Sequence, residues 1–410
     1  MATVPARCRS CGAGSLEPVL SLGRLPLANA LLRPEQLAQE EPRFPLDVVF
    51  CPGCALVQLA ESVPPETLFG EYTYFSSYSE TFQLSVRALA ERLTRERGLG
   101  AGSLVVEVAS NDGYLLEQYR GRGVGVLGIE PARNVAAAAQ ARGVPTLAEF
   151  FGPETGARLA AEGRRADVLH AHNVLAHVPE PNGFVRGLRA LLKDDGLLVI
   201  EVPWVKELVA RREFDTIYHE HMSYFSLAAL ARLLGAHGLT LERAEEIPLH
   251  GGSLRVFAVP AERARPERSV AELRRAERAL GVDQVGFYRH FAGRVEALLK
   301  ELRAGLLELR RQGRRLAAYG AAAKGTVLLN CLDLPPATIA FVADRSPHKQ
   351  GLFVPGVRVP VRAPQALLDE QPDDVLLLAW NLEAEVLAQQ AEYRRRGGRF
   401  IVPIPDVRLV

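Results

Sequence analysis

Residues 218–226, YHEHMSYFS, place two histidines, a glutamate and two tyrosines within nine positions. A neutral imidazole titrates near working pH, so His221 is a candidate base, with the Tyr218 hydroxyl as donor to a developing oxyanion. Glu220 is suited to orienting or tuning a histidine, and His219 to a supporting or exposed role. A metal held by His219, Glu220 and His221 is the second reading, but H-E-H lacks the H-E-x-x-H spacing that puts two ligands on one helical face. A polar surface turn is the third.

Metal chemistry has better candidates elsewhere. Cys8 and Cys11 form one C-x-x-C (CRSCG), and Cys51 and Cys54 form another (CPGC). Each knuckle presents two thiolates to one tetrahedral ion, so the pairs read as a structural zinc site with no position left open for catalysis. A redox pair or spectator thiols are the alternatives. Cys331, inside the apolar run VLLNCL, is expected to be a core residue.

Two further groups suit a nucleoside. EVASNDGYLLEQ brings Glu107, Ala109, Asn111, Asp112 and Gly113 to a turn whose small residues let a ligand approach the backbone. Glu130, in GIEPARN with Pro131 and Asn134, stands where an acid usually holds a ribose diol. The acids Glu107 and Asp112 would repel a pyrophosphate and suit a cation.

Three other stretches offer binding groups. YTYFSSYS supplies Tyr72, Tyr74 and Tyr78, either as a lid over cofactor and substrate or as packing at a domain junction. HGGSLRVF offers His250, a glycine pair, Ser253 and Arg255 to a substrate or diphosphate, with a tight hairpin as the alternative. YGAAAKGT carries Tyr319 and Lys324; its lysine precedes the second glycine, unlike a P-loop, so ATP hydrolysis is disfavoured while a diphosphate or sugar is not.

The elements that must position these groups follow from pattern. LVVEVA, VLGIE, ADVLHAHNVLAHV and GLLVIEVP are apolar strand runs alternating with the helical YLLEQYR, NVAAAAQARG and GFVRGLRALLKD. That alternation predicts a doubly wound parallel sheet, with ligands at the carboxyl ends of its strands. After a helical region over residues 269–312, RLAAYGAAAKG, TIAFVAD, DVLLLAW and RFIVPIP predict a smaller Rossmann-like unit. The first 70 residues, rich in Pro and Gly, bury too little alone and need the metal. The expected fold is therefore α/β, with a zinc-binding domain over 1–70, a central Rossmann-like domain over 71–255 and a C-terminal one over 256–410.

A net charge of +1 over 410 residues argues against a strongly basic nucleic-acid surface. The N-terminal sequence lacks the apolar core of a secretory signal and no stretch reaches the ~20 apolar residues of a membrane span, so the cytoplasm is expected.

EVASNDG, GIEPARN, HNVLAHVPEPNGFVRGLRALLKDDG and LLVIEVP together resemble the class I S-adenosylmethionine-dependent methyltransferases, with Ala109 and Asn111 at the first two glycine positions of the usual turn. The double C-x-x-C, YFSSYS, Y-H-E-H, HGGSLRVF and YGAAAKG, in this order, resemble the sugar C-methyltransferases that act on nucleotide-linked 4-ketosugars in deoxysugar biosynthesis. The resemblance covers almost the whole chain. It implies S-adenosylmethionine and structural zinc as cofactors, and a nucleotide-linked, dTDP-type 4-keto-deoxysugar as substrate, methylated at carbon 3 through an enolate. It favours His221 as base, with Tyr218, Glu220 and His177 of NVLAHV around the sugar. Asn173, at the end of the same predicted strand, would lie near the transferred methyl, Tyr74 near the cofactor and Tyr78 near the substrate. A nucleotide-sugar oxidoreductase using the C-terminal unit and a non-catalytic zinc-bearing binding module are the alternatives.

Overall fold

The computed structural model describes residues 7–64, 80–249 and 251–410. Tyr72, Tyr74, Tyr78 and His250 lie outside the described residues.

The chain opens with strands β1 (Glu17–Pro26), β2 (Arg43–Phe50) and β3 (Val57–Leu59). The central part supplies β4 (Leu104–Val108), β5 (Gly125–Ile129), β6 (Thr146–Leu147), β7 (Ala166–His172), β8 (Leu192–Pro203), β9 (Ser223–Tyr224), β10 (Leu239–Ile247) and β11 (Ser253–Pro260). The last part supplies β12 (Leu316–Tyr319), β13 (Val342–Ala343), β14 (Val361–Arg362), β15 (Asp374–Leu377), β16 (Arg399–Val402) and β17 (Arg408–Leu409).

The central sheet runs in the order β10-β11-β8-β7-β4-β5-β6. Its parallel strands β4, β5, β7 and β8 are those whose sequences are continuous apolar runs, as burial on both faces requires. Strands β10 and β11 are antiparallel to their neighbours and carry the sheet past residue 255, so that position falls inside a strand. The C-terminal sheet, in the order β14-β13-β12-β15-β16-β17, is parallel except for β17. Each of its four predicted strands is present, although TIAFVAD pairs over only Val342–Ala343.

The N-terminal sheet has the order β1-β2-β3-β9. Its edge strand comes from the YHEHMSYFS stretch: Val57 pairs with Tyr224 and Gln58 with Ser223, and the Leu59 amide donates to the Met222 carbonyl at 3.0 Å. The candidate proton-transfer segment is thus a strand of the cysteine-bearing domain. One hydrophobic core joins β1, β2 and β3 to the helix Phe291–Arg311 and the C-terminal sheet.

Candidate active site

The four cysteine Sγ atoms lie within 4.8 Å of one another, with Cys8 and Cys54 at 3.3 Å and Cys11 and Cys51 at 3.5 Å. A tetrahedral Zn–S shell of about 2.3 Å implies sulfurs about 3.8 Å apart, so the cluster fits one zinc ion with no open position. Both knuckles close by the same turn: the Gly12 amide reaches the Cys8 carbonyl and the Ala55 amide the Cys51 carbonyl, each at 2.8 Å. Gly12 (φ 74°) and Ala55 (φ 62°) take the left-handed conformation, so in CPGC an alanine fills the position that glycine fills in CRSCG. Asn182 donates to the carbonyls of Arg9 and Ser10, each at 2.9 Å, and ties the first knuckle to the central domain.

Strand ends of the central sheet, together with segments that flank the other two sheets, line one cavity of about 580 Å³. Its first end is the turn after β4. Ala109 (φ 56°), Asn111 (φ 48°) and Gly113 (φ 78°) are all left-handed, so the backbone keeps a glycine-rich shape where two of the glycines are replaced. The Glu130 carboxylate fixes that shape, accepting from the Asn111 amide at 3.0 Å and from the Ala132 amide at 2.9 Å. Ala109, Asn111, Glu130 and Pro131 line the cavity, whereas Glu107, Asp112 and Gly113 stand behind its wall and Asn134 is exposed outside it. Burial pushes the Glu107 carboxyl well up, and the charges of Asp112 and Glu130 add to the shift. Glu107 Oε2 and Asp112 Oδ1 have no hydrogen-bond partner among the described residues, and Arg142 faces Asp112 at 3.3 Å. These acids crowd one another in the core, a repulsion that a cationic ligand such as a sulfonium nucleoside would relieve.

The second end is built by the zinc-domain edge. His221 Nδ1 lies 2.8 Å from the Thr216 carbonyl, which only accepts, so Nδ1 carries the proton of the neutral ring. Nε2 is then the lone-pair nitrogen, and the Tyr218 hydroxyl donates to it at 2.7 Å. The His177 ring packs against His221 at 4.7 Å between centroids, and burial lowers its pKa to about 4. Asn173, also left-handed (φ 52°), lines the cavity, with its amide bonded to the Glu201 carbonyl at 2.8 Å.

Glu220 stands one residue back from the cavity. Its carboxylate takes the Asn29 amide nitrogen at 2.7 and 2.9 Å, and it is Asn29 that faces the cavity. Burial raises the Glu220 pKa to about 7, with Asn29 opposing. His219 is buried; its Nε2 donates to the Phe44 carbonyl at 3.1 Å, a supporting role on β2. Among the described residues the cysteine cluster is the only group of three or more metal-ligating side chains brought within reach of one ion.

The C-terminal domain closes the third wall with Ala322, Ala323, Lys324, Lys349, Ala379, Asn381 and Leu382. Burial lowers the Lys324 pKa, while Asp215 and Glu213 raise it, and the ammonium sits 4.7 Å over the Trp380 ring. Tyr319 does not reach the cavity. Its ring is buried against Phe400 and its hydroxyl meets Gln390, because it is the last inward-facing residue of β12. Ser253 is likewise turned away, donating to the Leu249 carbonyl at 3.1 Å. Arg255 does line the cavity, but Glu201 holds its guanidinium at 2.8 Å, which leaves little charge for a diphosphate. The glycine pair before Ser253 answers to packing: a Cβ on Gly251 (φ +96°) would lie 2.4 Å from Glu213, and one on Gly252 (φ +135°) 2.7 Å from Glu207.

Asn29, His172, Thr216 and Lys349 line the cavity although nothing local in the sequence singles out three of them. His172 alone left a signal, as one of two histidines spaced by one residue inside an apolar strand.

A methyltransferase domain family matches residues 79–244, a C-methyltransferase C-terminal domain family residues 248–405, and a zinc binding domain family residues 8–69. The chain is 40% identical to the C-methyltransferase NovU of Streptomyces niveus over 407 residues, covering 98% of this chain and 96% of that protein. Among solved structures, magnesium protoporphyrin IX methyltransferase (ChlM) from Synechocystis PCC 6803 with bound SAH overlaps 43% of this chain and 83% of its own, at 18% identity and a TM-score of 0.35. The CcbJ methyltransferase from Streptomyces caelestis overlaps 43% and 89% at 16% identity, with a TM-score of 0.34.

Proposed function

The chain belongs to the S-adenosylmethionine-dependent C-methyltransferase family, and from that premise we propose that it methylates carbon 3, next to the keto group, of a nucleotide-linked 4-keto-deoxysugar carried on thymidine diphosphate. In this reading residues 1–70 hold structural zinc through Cys8, Cys11, Cys51 and Cys54. Residues 71–255, with the strand that runs on to Pro260, carry the transfer, and the remainder holds the nucleotide end. The proposed setting is the cytoplasm, and no helix among the described residues is long and apolar enough to cross a membrane.

A sugar carbon becomes nucleophilic only as a carbanion, which is accessible beside a carbonyl. S-adenosylmethionine supplies an electrophilic methyl group on a sulfonium. Ala109, Asn111, Glu130 and Pro131 would hold that cofactor, with Glu107, Asp112 and Gly113 supporting the turn, Asn134 near its rim and Tyr74 as an aromatic neighbour. Lys324 and Lys349 would face the diphosphate, and Tyr78 and Asn173 the sugar.

The observation that carries this reading is the fixed tautomer of His221. Thr216 keeps the proton on Nδ1, which leaves Nε2 as the base. When the substrate carbonyl arrives, the Tyr218 O–H turns from Nε2 to the carbonyl oxygen. One rotation then frees the lone pair for the C–H proton and places a donor on the enolate oxygen. Neutral His177 holds the ring from its other side, and Glu220 acts through Asn29.

Incubation of the protein with methyl-labelled cofactor and a panel of 4-keto-6-deoxy nucleotide sugars tests the substrate; NMR should place the label on carbon 3, and no transfer to any ketosugar would refute the reading. His221→Asn should lower kcat by roughly 10²–10⁴-fold with S-adenosylhomocysteine binding unchanged. Wild-type turnover in that variant would remove His221 from its role.

A further inference from the structure

Three buried groups form a chain leading out of the central sheet into the cavity. The Tyr119 hydroxyl lies 3.0 Å from His170 Nε2, and His170 Nδ1 lies 3.1 Å from His172 Nε2. Tyr119 and His170 are fully buried and His172 lines the cavity. The direction of the chain follows from its closed end. Apart from His170, the Tyr119 hydroxyl meets no other hydrogen-bonding group among the described residues. If it only accepted, its own proton would be stranded in the core. It therefore donates to Nε2 of His170, which makes Nδ1 of that ring the protonated nitrogen, donating to Nε2 of His172. The remaining proton of His172 then sits on Nδ1, which makes no hydrogen bond to a described residue.

We propose that His172 is a preset hydrogen-bond donor for the carboxylate of the methionine portion of the cofactor, with His170 and Tyr119 as positioning residues that fix its tautomer. The proposal rests on the methyltransferase reading. His172 stands directly opposite Glu201 on β8, which stands opposite Arg255 on β11, so three polar side chains form a row on one face of the sheet. Glu201 and Arg255 are paired with each other at 2.8 Å, so the N–H of His172 is the donor in this row that remains for the carboxylate of an amino acid head group. The row borders Val108 and Ala109, at the cofactor end of the cavity. His172 stays neutral there, because burial and the neighbouring Arg255 lower its pKa to about 3.

Binding measurements on the full chain, by calorimetry with S-adenosylhomocysteine and with its decarboxylated analogue, test this without turnover. His172→Leu should weaken S-adenosylhomocysteine roughly 10- to 100-fold, the size of a hydrogen bond to a charged group, and should leave the decarboxylated analogue unaffected. His172→Gln, which keeps an N–H donor, should recover part of the loss. Tyr119→Phe removes the donor that sets the chain and should weaken only the carboxylate-bearing ligand, by roughly 3- to 10-fold. Equal losses for both ligands, or no loss for either, would overturn the proposal. Failure of the unaltered protein to bind S-adenosylhomocysteine would instead refute the cofactor reading beneath it.

Discussion

The central and C-terminal sheets solve one problem with one device and then diverge in charge. In each, an acid just beyond the second strand clamps the turn that follows the first. Glu130 takes the amides of Asn111 and Ala132, and Asp344 takes the amides of Ala321, at 2.7 Å, and Ser346, at 2.8 Å. In both cases the second amide lies two residues past the acid. Around the central clamp stand Glu107 and Asp112; around the C-terminal clamp stand Lys324 and Lys349, the latter bonded to the Ala321 carbonyl at 2.8 Å. The frame is indifferent to its ligand. In the proposed function the central clamp serves the cationic cofactor and the C-terminal clamp the anionic diphosphate.

Removing one clamp is the strongest way to break the parallel. Glu130→Ala should weaken S-adenosylhomocysteine by about 100-fold or more, since two amide bonds and the proposed contact to the ribose go together; nucleotide binding, followed by thymidine diphosphate titration, should hold. Neutralising the other half comes next. Lys324→Met should raise the KM for the nucleotide sugar roughly 10- to 50-fold with cofactor affinity unchanged. An equal effect on both ligands would show that the halves do not divide the charge.

Stability against pH sharpens the contrast at smaller scale. Burial raises the Glu213 pKa to about 7 in the fold, against Lys324, from an ordinary value of 4.5. Between those values the folded state binds more protons than the unfolded chain, so stability falls as pH rises from 4.5 to 7. Glu213→Gln should flatten that fall by on the order of 1–3 kcal/mol in urea titrations at the two pH values. The smallest effect concerns backbone. The central turn keeps Ala109 left-handed where the C-terminal turn uses Gly320 (φ +97°), so Ala109→Gly should stabilise the protein by about 0.5 kcal/mol in thermal unfolding.

Much of this was legible because it is local. Cysteine pairs announce a metal through their own spacing, the apolar runs announce parallel strands, and Glu130 announces itself by following one. What escaped depends on partners distant in sequence. Arg255 looked available to a diphosphate, but β11 lies against β8 and delivers Glu201 to its guanidinium. Tyr319 shares a motif with Lys324, yet strand alternation and the turn send one into the core and the other to the cavity. Glu220 stops at Asn29, a residue 191 positions away that no pattern marks. Lys349 likewise acquires its place only when Asp344 has shaped the loop around it.

The pairing of β3 with β9 has a consequence for how the molecule is made. Residues 8–59, with the four cysteines of the cluster, leave the ribosome ahead of the central sheet. Their sheet nevertheless ends in an open edge until Ser223 and Tyr224 arrive, after most of the central sheet has been synthesised. A domain that emerges ahead of the central sheet is therefore completed only after most of that sheet, by a strand that begins two residues beyond His221.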